Sequence, residues 1–181
     1  MKHVYCLFRF ISCCLFLMIF LGCFKAESKE VKQIKGTILR YNQLLIDGYK
    51  KMNMNPLQEV ATQEQAEKLY FHMAAIGEGR LRQDSSLKDV SFVTIDMSKP
   101  DEAIVTTKEI WDFTHVNIDT GKKLAEEKDF IYEMKYTLKI RQGRWIITNI
   151  STIGGTSTNS VIPWPEKDRQ RNVNPPGKPN N

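Results

Sequence analysis

The 181-residue sequence predicts an α+β domain, with N-terminal helices packed in the concave face of a curved antiparallel sheet, a cone or roll. Three observations carry this. Apolar residues recur at helical spacing up to about residue 76. From Leu87 the period changes to two. That alternation continues through four segments separated by turn residues, which is the pattern of an antiparallel meander following helices.

The first helix is predicted over residues 31–52, where Ile34, Ile38, Tyr41 and Leu45 form a stripe that Leu44 and Gly48 widen. Asn55 and Pro56 suit a short turn with proline at its first position. Thr62 and Gln65 have the spacing of a capping box. Behind them Ala66, Leu69, Tyr70, Met73 and Ile76 give a second amphipathic helix, ended by Gly77 and Gly79. His72 falls off its apolar stripe and reads as a surface or boundary residue.

Strands follow at 87–97, 103–116, 130–140 and 145–153. "SKPDE" separates the first two, and "NIDTGKKLAEEKD" is a polar loop or the far end of a hairpin. Gln142-Gly143 reads as a two-residue turn, which sets Ile140 opposite Trp145 and Leu138 opposite Ile147. This register places Asn149 opposite Tyr136 and Ser151 opposite Met134, all facing the helices; a bulged three-residue turn would shift the second strand by one and flip its faces, but Trp145 opposite Ile140 buries more. From Gly154 the sequence is rich in Gly, Ser, Thr, Pro and Asn without periodicity, so 154–181 is expected to be a disordered tail.

The first 24 residues contain Lys2 and Arg9, then an uncharged, mostly apolar run from Phe10 to Phe24. Fifteen residues suit the core of a signal peptide better than a membrane span, which takes about 20. All four cysteines, at positions 6, 13, 14 and 23, fall here. The folded part therefore has no disulfide, thiolate metal site or thiol nucleophile. Two histidines, His72 and His115, lie outside the leader, too few for a histidine-rich metal centre.

The net charge of +5 is spread thinly. Setting aside the leader and the stretch from Glu166 onward, the segment between Cys23 and Pro165 holds 20 basic and 19 acidic residues. Interleaved charges of both signs do not make the basic face that nucleic-acid binding needs, so no nucleic-acid partner is expected.

"FLGC", residues 20–23, resembles the lipobox of bacterial lipoproteins, with Phe20 where leucine is usual. The resemblance implies cleavage after Gly22 and lipidation of Cys23. An uncleaved signal anchor and plain secretion are the alternatives, and each places the domain outside the cytoplasm. The expected organisation is a signal peptide over 1–22, a tether over 23–30, a folded domain over 31–153 and the tail.

Val105, Glu109 and Trp111, then Tyr132 and Tyr136, then Gly143, Trp145 and Ile147 form a recognisable series along the strands. With these residues the folded part resembles the nuclear-transport-factor-type (cystatin-like, SnoaL-like) cone. It is most similar to the membrane-anchored subgroup shared with plastid-division proteins. The resemblance runs from about residue 31 to 153. It implies the fold far more than the function, because the same fold hosts isomerases, dehydratases, adaptors and secretion scaffolds.

An enzyme on this fold needs an acid or base inside the cone. The core face of the last hairpin has none. On the second strand Val105, Thr107, Glu109, Trp111, Phe113 and His115 share a face, so Glu109 is the single candidate base. His115 is six residues away, about 20 Å along a strand, and cannot act with it. Glu109 otherwise reads as a rim or ion-paired residue. Trp111, Tyr132, Tyr136, Trp145, Asn149 and Ser151 are the expected pocket-lining residues. These readings favour a membrane-anchored, non-enzymatic binding or scaffold domain of the bacterial cell envelope. The alternative is a small-molecule enzyme or sensor using the pocket. No cofactor or metal is expected. The partners to expect are the membrane, through a lipid or anchor, and a protein or small apolar ligand; a homodimer is compatible.

Overall fold

The computed structural model describes residues 27–157 and 159–160. Helix α1 spans Lys29–Lys51, a 3-10 turn follows at Asn55–Glu59, and α2 spans Gln63–Glu78. Strands β1 (Leu81–Lys99), β2 (Glu102–Asn117), β3 (Lys123–Arg141) and β4 (Arg144–Thr156) form an antiparallel sheet in sequence order. A short β5, Asn159–Ser160, pairs with β3 at Glu127 and Lys128. Two helices against an open four-stranded sheet make the α+β architecture expected. The predicted leader, including Cys23, and the segment after Ser160 lie outside the described residues.

The core forms where the stripe of α1 meets the sheet. Ile34, Ile38, Tyr41 and Leu44 from α1 pack with Leu57, Ala66 and Met73, and with Val105, Tyr136, Leu138, Trp145 and Ile147 from the strands. Tyr70, expected on the apolar face of α2, is instead exposed and stacks edge-on to the neighbouring exposed Phe71.

Gly48 lets the end of α1 lie against the turn that follows. A Cβ at this position would sit 2.6 Å from Met54 Sδ and 3.2 Å from the Asn53 carbonyl oxygen. Met54 is itself buried, so it has little room to retreat. Gly48→Ala should therefore destabilise the domain by about 1–3 kcal/mol despite alanine's better helix propensity. A urea midpoint equal to or above the parent's would contradict this.

The expected capping box at Thr62 does not form. Its side chain caps nothing, and Oγ1 is buried without a partner. The backbone takes over: Thr62 N–H donates to the Ile147 carbonyl (2.9 Å), and Ile147 N–H donates to the Val60 carbonyl (2.8 Å). Ala61 thus forms a parallel bridge to Ile147, and this docking on β4 fixes the start of α2.

The strands differ from expectation at their ends. β1 begins at Leu81 rather than Leu87, because "LRQDSS" pairs with Asp112–Asn117 of β2 although it lacks apolar alternation. Part of the polar stretch before Phe130 is strand, since β3 starts at Lys123. β4 continues through Gly154 and Gly155 to Thr156. The Gln142-Gly143 turn has positive φ at both residues (51° and 73°), the geometry of the two-residue hairpin turn inferred from sequence. Ile140 does pair with Trp145, and Leu138 with Ile147. Ile140 is nonetheless 44% exposed, whereas Trp145 opposite it is buried.

Candidate functional site: a carboxyl group sealed in the concave face

Alternation along β2 turns Ala103, Val105, Thr107, Glu109 and Trp111 toward the helices. Glu109 is therefore not at a rim and not ion-paired, correcting that reading. It is 2% exposed, and among the described residues it takes part in no salt bridge. Its partners are neutral donors instead. Thr107 Oγ1 donates to Oε1 at 2.8 Å, Tyr136 Oη donates to Oε1 at 2.8 Å, and Trp111 Nε1 donates to Oε2 at 2.9 Å.

The spacing explains why these groups meet. Thr107 and Trp111 lie two residues either side of Glu109 on one face of β2. Tyr136 of β3 pairs in register with Val105, and its long side chain reaches along β2 to the Glu109 carboxyl. Tyr41 of α1 packs edge-on against the Tyr136 ring at 6.1 Å between centroids.

Asn42 completes the cluster, with Oδ1 placed 3.4 Å from Tyr136 Oη and Nδ2 buried without a partner. A tyrosine hydroxyl has one hydrogen, and the nearer carboxyl claims it. Turning the Asn42 amide over lets Nδ2 donate to the hydroxyl oxygen and leaves the less demanding carbonyl oxygen unpaired. Burial, helped by the nearby Glu109 carboxyl and its hydrogen bond, holds the Tyr136 hydroxyl well above the ordinary tyrosine pKa. Tyr41 is raised for the same first reason, burial.

The six expected pocket residues are dispersed. Trp111 and Tyr136 enter the carboxyl cluster. Tyr132 joins Phe113 and Phe130 in a half-buried aromatic group, its ring 4.4 Å from that of Phe130. Trp145 is buried at the other end of the sheet. Asn149 and Ser151 leave the inner face. A bulge at Thr148 slips the register by one, so Ile150 pairs with Tyr136, while Asn149 pairs with Thr137 and Ser151 with the outward Lys135. Ile150 takes the inward position and packs on the core.

Asn42 is a cluster member that sequence reasoning missed, and Thr107 was placed on the Glu109 face but given no role. Each carried a signal: a polar side chain at an inward position, Thr107 by strand alternation and Asn42 four residues after Ile38. Among the described residues no group of three His, Cys, Asp or Glu could hold a metal ion.

No family model matches the sequence, and no curated protein matches it. The chain is similar in fold to the intermembrane space region of the chloroplast protein ARC6. The TM-score is 0.57 at 13% identity, covering 70% of this chain and 98% of that one. A periplasmic fragment of TraM also aligns, with TM-score 0.46 and 9% identity over 65% of this chain and 96% of that one. At such identities the ARC6 likeness shows a shared fold and nothing of function.

Proposed function

We propose that the chain is an exported, membrane-anchored binding or scaffold domain without catalytic activity. The observation that carries this is the closure of the concave face around Glu109. Thr107, Glu109 and Tyr136 are 0%, 2% and 1% exposed, and each carboxyl oxygen is already engaged by a donor within the fold. A general base must come within hydrogen-bond reach of a substrate proton. Here the carboxyl organises the core instead. Partner binding then falls to the surface.

The leader supports the location. A positive start, a short apolar run and Cys23 in a lipobox-like setting fit export and lipidation. Several acyl chains on Cys23 would anchor stably, each buried methylene contributing about 0.8 kcal/mol. No helix among the described residues is long and apolar enough to cross a membrane. The ARC6 domain is an intermembrane-space domain, in keeping with a place outside the cytoplasm.

Cys23→Ser should abolish incorporation of labelled palmitate and move the protein to the soluble fraction. Unchanged labelling rejects lipidation at Cys23. Loss of label with retention in the membrane points to the uncleaved anchor instead.

A further inference from the structure

A groove of about 340 Å³ opens between the first half of α1, the 3-10 turn and the β3–β4 turn. This volume lies at the low end of the usual range for binding clefts, roughly 300–1,000 Å³. Buried Val60, Trp145 and Ile146 contribute apolar surface to it. Arg40, Glu59 and Arg144 bring charge to the same groove.

Its charge is not balanced. Arg40 and Glu59 satisfy one another through two bonds, of 3.0 Å and 2.7 Å. Arg144 is exposed and makes no ion pair among the described residues. It also stands directly opposite Arg141 in the β3–β4 register, and Arg141 is exposed and equally without an ion pair there. Like charges directly opposite in a sheet are destabilising. Glu59 also acts electrostatically on Arg144, but this one carboxylate stands against the guanidinium groups of Arg40, Arg144 and the facing Arg141, so this end of the groove stays net positive.

Gly36 is the second unexplained feature of the same groove. It sits inside α1, where glycine costs about 1 kcal/mol relative to alanine. A Cβ there would meet nothing within 4 Å, so internal packing does not require the glycine. A missing side chain on a groove wall does permit close approach by another backbone.

We propose that this groove docks an extended acidic segment of a partner protein. The segment's backbone crosses Gly36, an apolar side chain seats against Val60 and Trp145, and a carboxylate pairs with Arg144 beside Arg141. The proposal rests on the scaffold reading and gives that reading a site. An anionic lipid headgroup would answer the arginines but not the apolar surface or Gly36.

The test uses the full chain in detergent, with a fluorescent peptide of alternating leucine and aspartate and its leucine–lysine counterpart. The acidic peptide should bind about tenfold more tightly than the basic one, as expected for a charge-assisted contact. Arg144→Glu should remove that preference. Gly36→Leu should block binding while leaving the thermal midpoint unchanged or raised, because open space surrounds the added side chain. Equal binding of the two peptides, or binding indifferent to both substitutions, overturns the proposal. So does binding to phosphatidylglycerol vesicles that needs Arg144 without any peptide binding, which would assign the arginines to lipid.

Photo-crosslinking residues placed in cells at Thr37, in the groove, and at Phe71, exposed on α2, separate docking in the groove from partner binding elsewhere on the surface. Protein adducts at Thr37 that Arg144→Glu removes are the expected result. Adducts at Phe71 alone leave the scaffold reading standing and discard the groove. Adducts at neither position count against both.

Discussion

Glu109→Ala should destabilise the domain by about 4–6 kcal/mol. Three buried donors, on Thr107, Trp111 and Tyr136, lose their acceptor at once. Each unsatisfied donor costs about 1–3 kcal/mol, and the vacated volume adds a cavity penalty. Domains of this size are stable by only about 5–15 kcal/mol, so the variant would stand near the edge of unfolding. Glu109→Gln is the milder probe. Its carbonyl oxygen can still accept from Thr107 and Tyr136, but its amide then meets the Trp111 N–H donor to donor. A loss of about 1–3 kcal/mol is expected. Adding Trp111→Phe removes the clashing hydrogen, so the double variant should be more stable than the two separate losses imply. The measurement is chemical denaturation of the parent, the single variants Glu109→Ala, Glu109→Gln and Trp111→Phe, and the double variant. A cost below about 1 kcal/mol for Glu109→Ala would show that the cluster does not hold the core.

Stability should fall steeply above pH 10. Burial raises the hydroxyl pKa of Tyr41, Tyr49 and Tyr136 above the ordinary value of 10.0. Neighbouring Tyr49 and Glu109 add to the effect on Tyr41, and neighbouring Tyr132 adds to that on Tyr49. Below pH 10 both folded and unfolded chains hold these protons, and the stabilisation is complete. Above it the unfolded chain releases them while the folded chain keeps them, so rising pH favours unfolding. Each tyrosine contributes about 1.4 kcal/mol per pH unit, or roughly 4 kcal/mol per unit for the three together. Denaturation midpoints followed between about pH 9 and 11 should drop accordingly, with a shallower drop for Tyr136→Phe. Tyrosinate absorbance from these residues should appear only with unfolding. Flat stability through this window, or ionised Tyr136 in the folded protein, would refute the assignment.

The fold was legible where one physical signal dominated. The stripe from Ile34 to Leu45 places α1, and Gln142-Gly143 sets the first two pairs of the last hairpin, Ile140 with Trp145 and Leu138 with Ile147. Beyond them the bulge at Thr148 reverses the faces. No residue type there announces it. The outcome is decided by Ile150, whose burial against the core exceeds what Asn149 could offer. The start of β1 was hidden for a different reason. "LRQDSS" is held by the ladder to β2, and a ladder leaves no trace in side-chain hydrophobicity. The site was half legible. Strand alternation put Glu109 and Trp111 on one face, but whether that face holds a cavity or a closed network depends on Asn42, Thr107 and Tyr136 meeting from three elements. Sequence spacing within one element cannot encode that meeting.

The bridge between Ala61 and Ile147 has a consequence for the order in which the chain can become a domain. Its two sides are separated by most of the sheet, and the Glu109 cluster likewise joins Asn42 to Tyr136. The helices leave the ribosome, or cross a membrane, well before β3 and β4 exist to cover them. During that interval the stripe of Ile34, Ile38, Tyr41 and Leu44 has no sheet to pack on. Contacts so distant in sequence form slowly, and uncovered apolar helices are prone to association. The polypeptide is thus most vulnerable while its C-terminal third is still missing, and premature termination would leave a pair of adhesive helices rather than a smaller stable unit.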